Sequence, residues 1–174
     1  MKETLILTVI GPDHTGIVNR VSETISAHGG NWHESRMAHL AGQFAGLMRA
    51  QVPAGNSAGL RAALGALSEE DLQITVVTES SAASVEATDH QTLGLSVTGS
   101  DQPGIVRDIT GVLARHGVNV EELTTEVSPA PMSSHELFIA SAKMNAGADV
   151  DLDALQHELE SLSHDLMIEL SVQL

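Results

Sequence analysis

Apolar and polar residues alternate near the start of the chain, where Leu5, Leu7 and Val9 are each separated by one residue. This period of two is typical of a half-buried β-strand. After Gly16 a second set of apolar residues is spaced mostly three or four apart: Ile17, Val18, Val21 and Ile25. That spacing is typical of one face of an α-helix. The pattern therefore predicts a strand, a short turn and a helix.

The whole pattern occurs a second time. Leu93, Leu95 and Val97 repeat the strand, and GSDQPGIV from Gly99 to Val106 repeats GPDHTGIV from Gly11 to Val18. Apolar residues at helical spacing follow again: Ile105, Val106, Ile109 and Leu113. In both copies a His-Gly pair then predicts where the helix ends, because glycine is common just past a helix C-terminus. The chain is therefore two copies of one unit.

Each copy continues with two strands, a helix and a last strand. The paired strands are predicted at Trp32–Leu40 and Gln43–Val52 in copy one, and at Val118–Val127 and Leu137–Met144 in copy two. Leucines at helical spacing place the second helix: Leu60, Leu64 and Leu67, then Leu152, Leu155, Leu159 and Leu162. The last strands contain alternating apolar residues: Leu72, Ile74 and Val76, then Leu166, Ile168, Leu170 and Val172. The order β-α-β-β-α-β predicts two α+β, ferredoxin-like domains, with antiparallel sheets and both helices on one face.

Composition indicates the boundaries of the two copies. Residues 1–78 form the first predicted domain and residues 92–174 the second, and each is large enough for one modest core. Residues 79–91 between them are rich in serine and alanine, have few large apolar side chains and show no period. Such a composition predicts a linker.

The chain is strongly acidic, with 23 Asp and Glu against 8 Lys and Arg and a formal net charge of −15. Because such a field repels phosphate backbones, we expect no direct nucleic-acid binding. RNA-binding modules with this strand order stack bases on aromatic residues, and this chain has only Trp32, Phe44 and Phe138. The two phenylalanines occupy matching positions in the two copies, so we expect both in the cores.

The N-terminus lacks the long apolar run and cleavage site of a signal peptide, and no stretch of 18 or more consecutive apolar residues marks a membrane span. We therefore expect a cytoplasmic protein without membrane contact. The absence of cysteine excludes disulfides, thiolate catalysis and cysteine-bound metals. His33 and His39 share a predicted strand face with Met37, but no carboxylate at a matching spacing completes a ligand set, so we expect neither a metal nor a cofactor.

In both copies an aspartate stands three residues before a glycine at the predicted strand-to-helix turn, Asp13 before Gly16 and Asp101 before Gly104. One interpretation is structural: the aspartate is the helix N-cap, and the glycine lets the helix pack close to the strand. The other is functional, since backbone N–H groups at a helix N-terminus can bind a carboxylate. The two interpretations are compatible.

Asn31 and Asn119 follow the helix-ending glycine by two residues in their copies. Their amides can both donate and accept hydrogen bonds. An α-amino acid needs one partner for its carboxylate and another for its ammonium group, and the turn together with the asparagine can supply both. His14 stands in copy one where copy two has Gln102. His14 is therefore a further candidate ligand-binding residue, and it makes the two turns unequal.

The motif D-x-x-G-I-V after an alternating strand, followed by H-G-x-N, resembles the ACT domain, a small regulatory module of ferredoxin-like fold that binds amino acids. The resemblance covers both halves of the chain. Two such domains without a catalytic domain, together with SPAPMSSHELF at Ser128–Phe138, are similar to the glycine cleavage system transcriptional repressor family. The resemblance implies an effector between paired domains, near the turn of one and the second strand of its neighbour. It implies these site residues: Asp13, Gly16, Asn31, Asp101, Gly104 and Asn119.

The resemblance also implies a non-catalytic amino-acid sensor, with glycine as the favoured ligand, that restrains a DNA-binding activator by protein contact. An alternative is an ACT-domain regulator that docks on a metabolic enzyme. An enzyme is not expected, because neither a nucleophile–base pair nor a Gly-rich phosphate loop stands out.

Two features bear on partners. Unpaired edge strands invite pairing, and Ile6 and Ile10 are apolar on the strand face opposite Leu5, so we expect a homo-oligomer. The loop at residues 128–136 is longer than its counterpart in copy one. It is either an exposed insertion or a lid or partner-contact loop.

Overall fold

The structure is a computed structural model that describes residues 1–68, 72–79, 90–130 and 135–173. The chain divides into two compact units, Met1–Ser84 and Val85–Leu174. Both units have the predicted β-α-β-β-α-β order.

The first unit is a four-stranded antiparallel sheet with strand order β2-β3-β1-β4. Its elements are β1 at Lys2–Pro12, α1 at Ile17–Ala27, β2 at Asn31–Leu40, β3 at Gln43–Pro53, α2 at Ser57–Ser68 and β4 at Gln73–Thr78. A short 3₁₀ turn at Ala54–Asn56 precedes α2. In this order β2 and β4 are the two edges of the sheet.

The second unit repeats that arrangement with strand order β6-β7-β5-β8. Its elements are β5 at His90–Ser100, α3 at Ile105–Arg115, β6 at Asn119–Pro129, β7 at Glu136–Gly147, α4 at Leu152–Glu160 and β8 at Leu166–Gln173. The strand β5 begins two residues before the predicted start of the second domain. Residues 80–89 of the predicted linker lie outside the described residues.

Each core lies between the sheet and its two helices. Leu5 and Leu7 of β1 are 0% exposed and pack with α1 and α2 residues such as Val21 and Leu60. The second core is built in the same way around Leu93 of β5 and includes the buried Phe138, whereas Phe44 is half-buried against the first core. The predicted core positions of β1 and β5 are confirmed, because alternation directs one side of each strand to the helices. Three residues that the apolar patterns include are instead exposed, Val18 at 43%, Val106 at 40% and Val172 at 50%.

In the described part of the first unit, no helix packs on the opposite face of the sheet. Ile10 of β1 is 46% exposed there, and Leu47 and Val77 lie on the same face because they occupy the outward positions of their strands. This confirms that Ile6 and Ile10 point away from the core side chains of β1.

Local chemistry fixes the start of α4. The side chain of Asp151 accepts a hydrogen bond of 3.0 Å from the N–H of Ala154. N-caps of this kind stabilise a helix by about 1 kcal/mol. The helix ends at Glu160, so Leu162, which the spacing places on it, lies just beyond the helix and packs against the core from there.

The second strand of each copy contains a register shift, between Trp32 and Glu34 in β2 and between Val120 and Glu122 in β6. A bulge of this kind inserts an extra residue and breaks the alternation of side chains. His33 is the extra residue in β2, so the prediction that His33 and His39 share one strand face is wrong. The bulge also explains why alternation in these two strands is weak in the sequence.

Candidate functional site

The strand-to-helix turn is built on a glycine in each copy. Gly16 has φ +100° and Gly104 has φ +97°, both in the left-handed region, and each is the residue from which its helix begins. No side chain caps either helix. The prediction that Asp13 and Asp101 are N-caps is therefore wrong. Each aspartate lies three residues too early, since the glycine itself occupies the capping position.

Gly16 also does not have the second predicted structural role, which was to let the helix pack close to the strand. A Cβ placed on Gly16 would meet nothing within 4 Å, so this glycine does not serve close packing of helix on strand. It serves the positive φ, which residues with a Cβ rarely adopt. The helix then starts with the N–H of Arg20 donating to the carbonyl of Gly16 at 2.9 Å. The N–H groups of the first turn have no partner within the helix.

The aspartates are held at the hairpin end of their sheets. The N–H of Asp13 donates to the carbonyl of Gly42 at 2.9 Å, and its carboxylate lies 3.7 Å from Nε2 of His39. In the second copy the N–H of Asp101 donates to the carbonyl of Glu136 at 2.9 Å. The backbone of each turn is thereby anchored beside the start of the third strand, to Gly42 just before β3 and to Glu136 at the start of β7.

The asparagines lie at the other end of the sheet. Asn31 pairs with Gln51, which pairs with Thr4 near the start of β1, whereas Asp13 follows the last residue of that strand. About eight residues of strand at roughly 3.3 Å each separate the two levels, or about 26 Å. Within one domain the turn and the asparagine are therefore not brought together.

The second copy shows the same separation. Asn119 pairs with Asn145, which is next to Ala146, the partner of Gln91 near the start of β5. Asp101 follows the end of that strand. The β-α-β order contains the signal for this result, because a helix that follows a strand runs back along the sheet toward the level where the strand began. His14 does lie in the turn, with its Nδ1 3.2 Å from the carbonyl of Thr15.

Polar residues that the sequence analysis did not consider surround Asn119. Glu121, the extra residue of the β6 bulge, accepts from Nδ2 of Asn145 at 3.4 Å and pairs with Lys143 at 3.4 Å. The Oδ1 atom of Asn145 is buried and has no hydrogen-bond partner. In the first copy Nδ2 of Asn31 lies 3.4 Å from Nε2 of His33. In both copies, therefore, the extra residue of the bulge adds a polar group near the asparagine, His33 near Asn31 and Glu121 near Asn119. Each of these residues follows its asparagine by two positions, and this shared spacing could have indicated the result.

Two other charged clusters stabilise the domains. Arg115 and His116, at the end of α3, both hydrogen-bond to Glu158 of α4, and these bonds hold the pKa of the Glu158 carboxyl below its usual range. In the first domain hydrogen bonds from Ser57, Thr78 and Arg61 lower the pKa of Glu3 in the same way. Each cluster connects a second helix to the rest of its domain, and neither lies at a turn.

Two further findings concern the described residues only. Among them, no group of three or more His, Asp or Glu side chains is placed to hold a metal ion. Within the same ranges, no helix is both long enough and apolar enough to cross a membrane.

Comparison with known proteins defines the class. Residues 3–78 and residues 94–156 each match a family model described as the ACT domain. The chain therefore belongs to the ACT-domain family, as a tandem of two such domains, and its resemblance to that family is confirmed.

Relatives that match nearly the whole chain show which kind of ACT-domain protein it resembles. The chain is 23% identical over 168 residues to the glycine cleavage system transcriptional repressor of Escherichia coli, covering 97% of this chain and 88% of that protein. A solved structure of an unknown protein from Galdieria sulphuraria matches with a TM-score of 0.84 and 28% identity, covering 100% of both chains. A second, provisionally assigned as a glycine cleavage system transcriptional repressor, matches with a TM-score of 0.70 and 21% identity over 99% and 98% of the chains, which shows a shared fold. The chain is thus an ACT-domain regulator distantly related to the glycine cleavage repressor.

Proposed function

We propose that this chain is a non-catalytic, glycine-responsive negative regulator of transcription, which acts by contact with a DNA-binding activator. The observation that carries the proposal is the open, αL-glycine turn at the start of α1, in a chain related over 97% of its length to a glycine cleavage system transcriptional repressor. In this proposal a free amino acid binds at that turn, and the protein partner binds elsewhere on the surface of the chain.

The turn suits the carboxylate of an amino acid. Backbone N–H groups at a helix N-terminus carry a partial positive charge and bind small anions. Because no side chain caps α1 or α3, these groups are not already used by the protein's own aspartates. The carboxylates of Asp13 and Asp101 remain nearby as partners for an ammonium group.

The asparagines complete the proposed site from a different domain. Asn31 and the first turn lie at opposite ends of one sheet, so one ligand cannot contact both within a single domain. A site that uses both elements must combine the turn of one ACT domain with the second strand of a partner domain. A ligand held in this way favours one arrangement of domains over others, and that difference in affinity is what shifts an equilibrium.

The net charge favours a protein partner over DNA. A chain with a formal charge of −15 is repelled by a phosphate backbone and attracted to a basic protein surface. An acidic regulator can therefore bind an activator that itself binds DNA. In this proposal glycine releases the activator.

Calorimetric titration of the purified full-length chain with glycine tests the ligand. We expect saturable binding of glycine, with weaker binding of alanine and serine. Glycine should also raise the midpoint of thermal unfolding, because a ligand of the folded state stabilises that state. Saturable binding of other amino acids with none of glycine would contradict the glycine assignment.

Deletion of the gene tests the regulatory part. Transcripts of the glycine cleavage genes should rise in the deletion strain without added glycine. A chain carrying Asp13→Ala and Asp101→Ala should restore repression but no longer respond to glycine. Unchanged transcripts in the deletion strain would overturn the proposed repression while leaving glycine binding intact.

A further inference from the structure

We propose that the groove between α4 and β8, the β8 groove, binds an extended segment of the protein partner in which basic and apolar side chains alternate. The segment adds a strand to the second sheet along β8. The inference rests on the proposed function for the role of that partner, and it deepens that function by assigning the surface and the chemistry of the protein contact.

The second sheet has an open edge along β8. The strand order β6-β7-β5-β8 places β8 at one edge, and among the described residues its strand partner is β5. An edge strand presents a row of backbone N–H and C=O groups that an added strand can use. Because β8 extends over eight residues, Leu166–Gln173, this edge is long enough to fix the register of a bound segment.

An apolar wall lies beside that edge. The groove has a volume of about 650 Å³, and its apolar lining residues are Leu152 of α4 with Ile168, Leu170 and Val172 of β8. Val172 is 50% exposed, so part of this apolar surface is open. Successive side chains of a strand point to opposite faces, so every second side chain of an added strand would face this wall.

The charged residues of the groove are all acidic. They are Asp153 and Glu160 of α4 and Glu169 of β8, and its described lining includes no lysine, arginine or histidine. Residues 85–174 contain 15 Asp and Glu against 3 Lys and Arg, and therefore −12 of the formal charge of −15. This field attracts a basic segment. It disfavours a second copy of the chain, because pairing of two β8 edges would bring these carboxylates close to their own counterparts.

The first domain shows what a basic side chain does at the corresponding edge, β4. One terminal nitrogen of Arg61 in α2 donates to the carbonyl of Val76 at 2.9 Å, and the other donates to Oγ1 of Thr78 at 2.6 Å. The guanidinium also pairs with Glu3 at 3.3 Å. The first domain thus supplies its own cation to its edge strand.

The second domain has a neutral residue at that place. Gln156 of α4 corresponds to Arg61 of α2, because each follows a fully buried leucine of its helix, Leu155 or Leu60. The Gln156 amide donates to the carbonyl of Ile168 at 3.3 Å, but it brings no positive charge to the acidic groove. In this proposal a lysine or arginine of the partner brings the charge that Arg61 brings in the first domain.

Fluorescence anisotropy of a labelled peptide titrated with the full-length chain tests the proposal. The probe is an eight-residue peptide of alternating lysine and valine with blocked ends, which matches the length of β8. We expect saturable binding that weakens about tenfold or more between about 50 mM and about 500 mM NaCl, because salt screens the charges. The same peptide with glutamate in place of lysine should not bind.

Two methylated peptides test the backbone pairing. Each has N-methyl groups on one of the two alternating sets of residues, which removes the N–H donors along one edge of the peptide without changing its charge. One should bind about tenfold or more weakly than the parent peptide, and the other should bind like the parent. Hydrogen exchange at the amides of residues 166–172 should slow when the parent peptide is bound.

A variant that closes the edge tests the location. Gln156→Arg should place a guanidinium beside β8 and weaken binding of the lysine–valine peptide about tenfold or more, because like charges repel. Ala114→Arg on the exposed surface of α3 adds the same charge outside the groove and should bind the peptide like wild type. Urea unfolding midpoints no lower than that of wild type show that both variants are folded.

The results can overturn the inference in separate ways. Equal affinities of the two methylated peptides would exclude strand addition, and equal losses in Gln156→Arg and Ala114→Arg would show attraction by net charge alone. A wild-type dimer that Gln156→Arg converts to a monomer in analytical ultracentrifugation would show that a second copy occupies the groove instead.

Glycine titration separates this inference from the proposed function. We expect Gln156→Arg to bind glycine like wild type, because the β8 groove does not include either strand-to-helix turn. A chain that binds glycine but not the lysine–valine peptide would overturn the inference and leave the glycine sensor intact. A chain that binds the peptide at β8 but not glycine would contradict the proposed sensor and leave the groove as a peptide-binding surface.

Discussion

Asp13 and Asn31 lie at opposite ends of the first sheet, separated by the length of β1, although the sequence makes them look like parts of one motif. The turn that contains Asp13 is anchored to Gly42, at the tip of the β2–β3 hairpin. Asn31 begins β2 at the level of Thr4. One ligand therefore cannot contact both residues within this domain.

Asparagine variants test whether Asn31 and Asn119 take part in glycine binding. We expect Asn31→Ala or Asn119→Ala to weaken glycine binding about tenfold or more, because a lost hydrogen bond to a charged group costs about 1.5 to 3 kcal/mol. Neither should change the unfolding midpoint of the ligand-free protein by more than a degree or two. Loss of affinity in either variant supports the proposed role of that asparagine in the site.

Thr124→Ala is the matched control for these variants, since Thr124 is exposed in the middle of β6. Its affinity for glycine should equal that of wild type. If both asparagine variants also bind like wild type, the two-domain site is wrong and the turn alone holds the ligand.

The two αL glycines can be tested through stability. Gly16→Ala and Gly104→Ala should each lower the free energy of unfolding by about 1 to 2 kcal/mol, because an L-residue with a Cβ is strained at positive φ. The contact with Arg107 adds little at Gly104, since the guanidinium end of that side chain can move. Urea denaturation followed by circular dichroism measures both changes.

Gly65→Ala is a control for which the change in the free energy of unfolding should have the opposite sign. Gly65 lies inside α2 with open space around its Cα, so alanine there should raise the free energy of unfolding by about 0.5 to 1 kcal/mol. A loss of stability at Gly65 equal to that at Gly16 would show that the positive φ is not the cause.

Glu158 predicts a pH-dependent contribution to the stability of the second domain. Hydrogen bonds from Arg115 and His116 lower its pKa below the ordinary value of 4.5. A carboxyl whose pKa is lower in the folded state stabilises the fold above its ordinary pKa and loses that effect as pH falls through the folded value. We therefore expect Glu158→Gln to be less stable than wild type at pH 7, with the difference shrinking as pH falls below 4.

Thermal unfolding of both proteins between pH 3 and pH 7 measures the difference. Glu160→Gln is the control, because Glu160 is an exposed acidic residue near the end of the same helix. Its difference from wild type should be small and nearly constant with pH. A constant difference for Glu158→Gln as well would exclude the ionised carboxylate as the source of the effect.

Sequence patterns predicted the parts of the fold that depend on periodicity. Leu5, Leu7 and Val9 are buried because a strand has only two faces and one of them meets the helices. The prediction that Asp13 is an N-cap is wrong, although the motif D-x-x-G is also typical of a capped helix start. The αL glycine Gly16 delays the start of the helix until Ile17. The Arg107–Asp108 pair near Gly104 could not be predicted, because it depends on how two exposed side chains are oriented in space.

An apolar groove distinguishes the second domain from the first. In the first domain Met37 of β2 packs against the core. Its counterpart in β6 is the exposed and smaller Thr125, and the groove left there has the following lining: Leu95, Val97, Val106, Ile109, Thr110, Leu113, Val120, Leu123, Thr125, Phe138, Ala140 and Ala142. The same backbone position is therefore covered in one copy and open in the other.

Thr125→Met should fill that groove and raise the free energy of unfolding by about 0.5 to 1.5 kcal/mol, as filling a cavity commonly does. Met37→Thr should lower it by about 1 to 3 kcal/mol, since it removes half-buried apolar atoms and adds a hydroxyl. Thr124→Met, on the face of β6 without helices, should change it by less than about 0.5 kcal/mol. Urea denaturation measures all three, and equal effects of methionine at Thr124 and Thr125 would show that β-propensity, not the groove, determines the result.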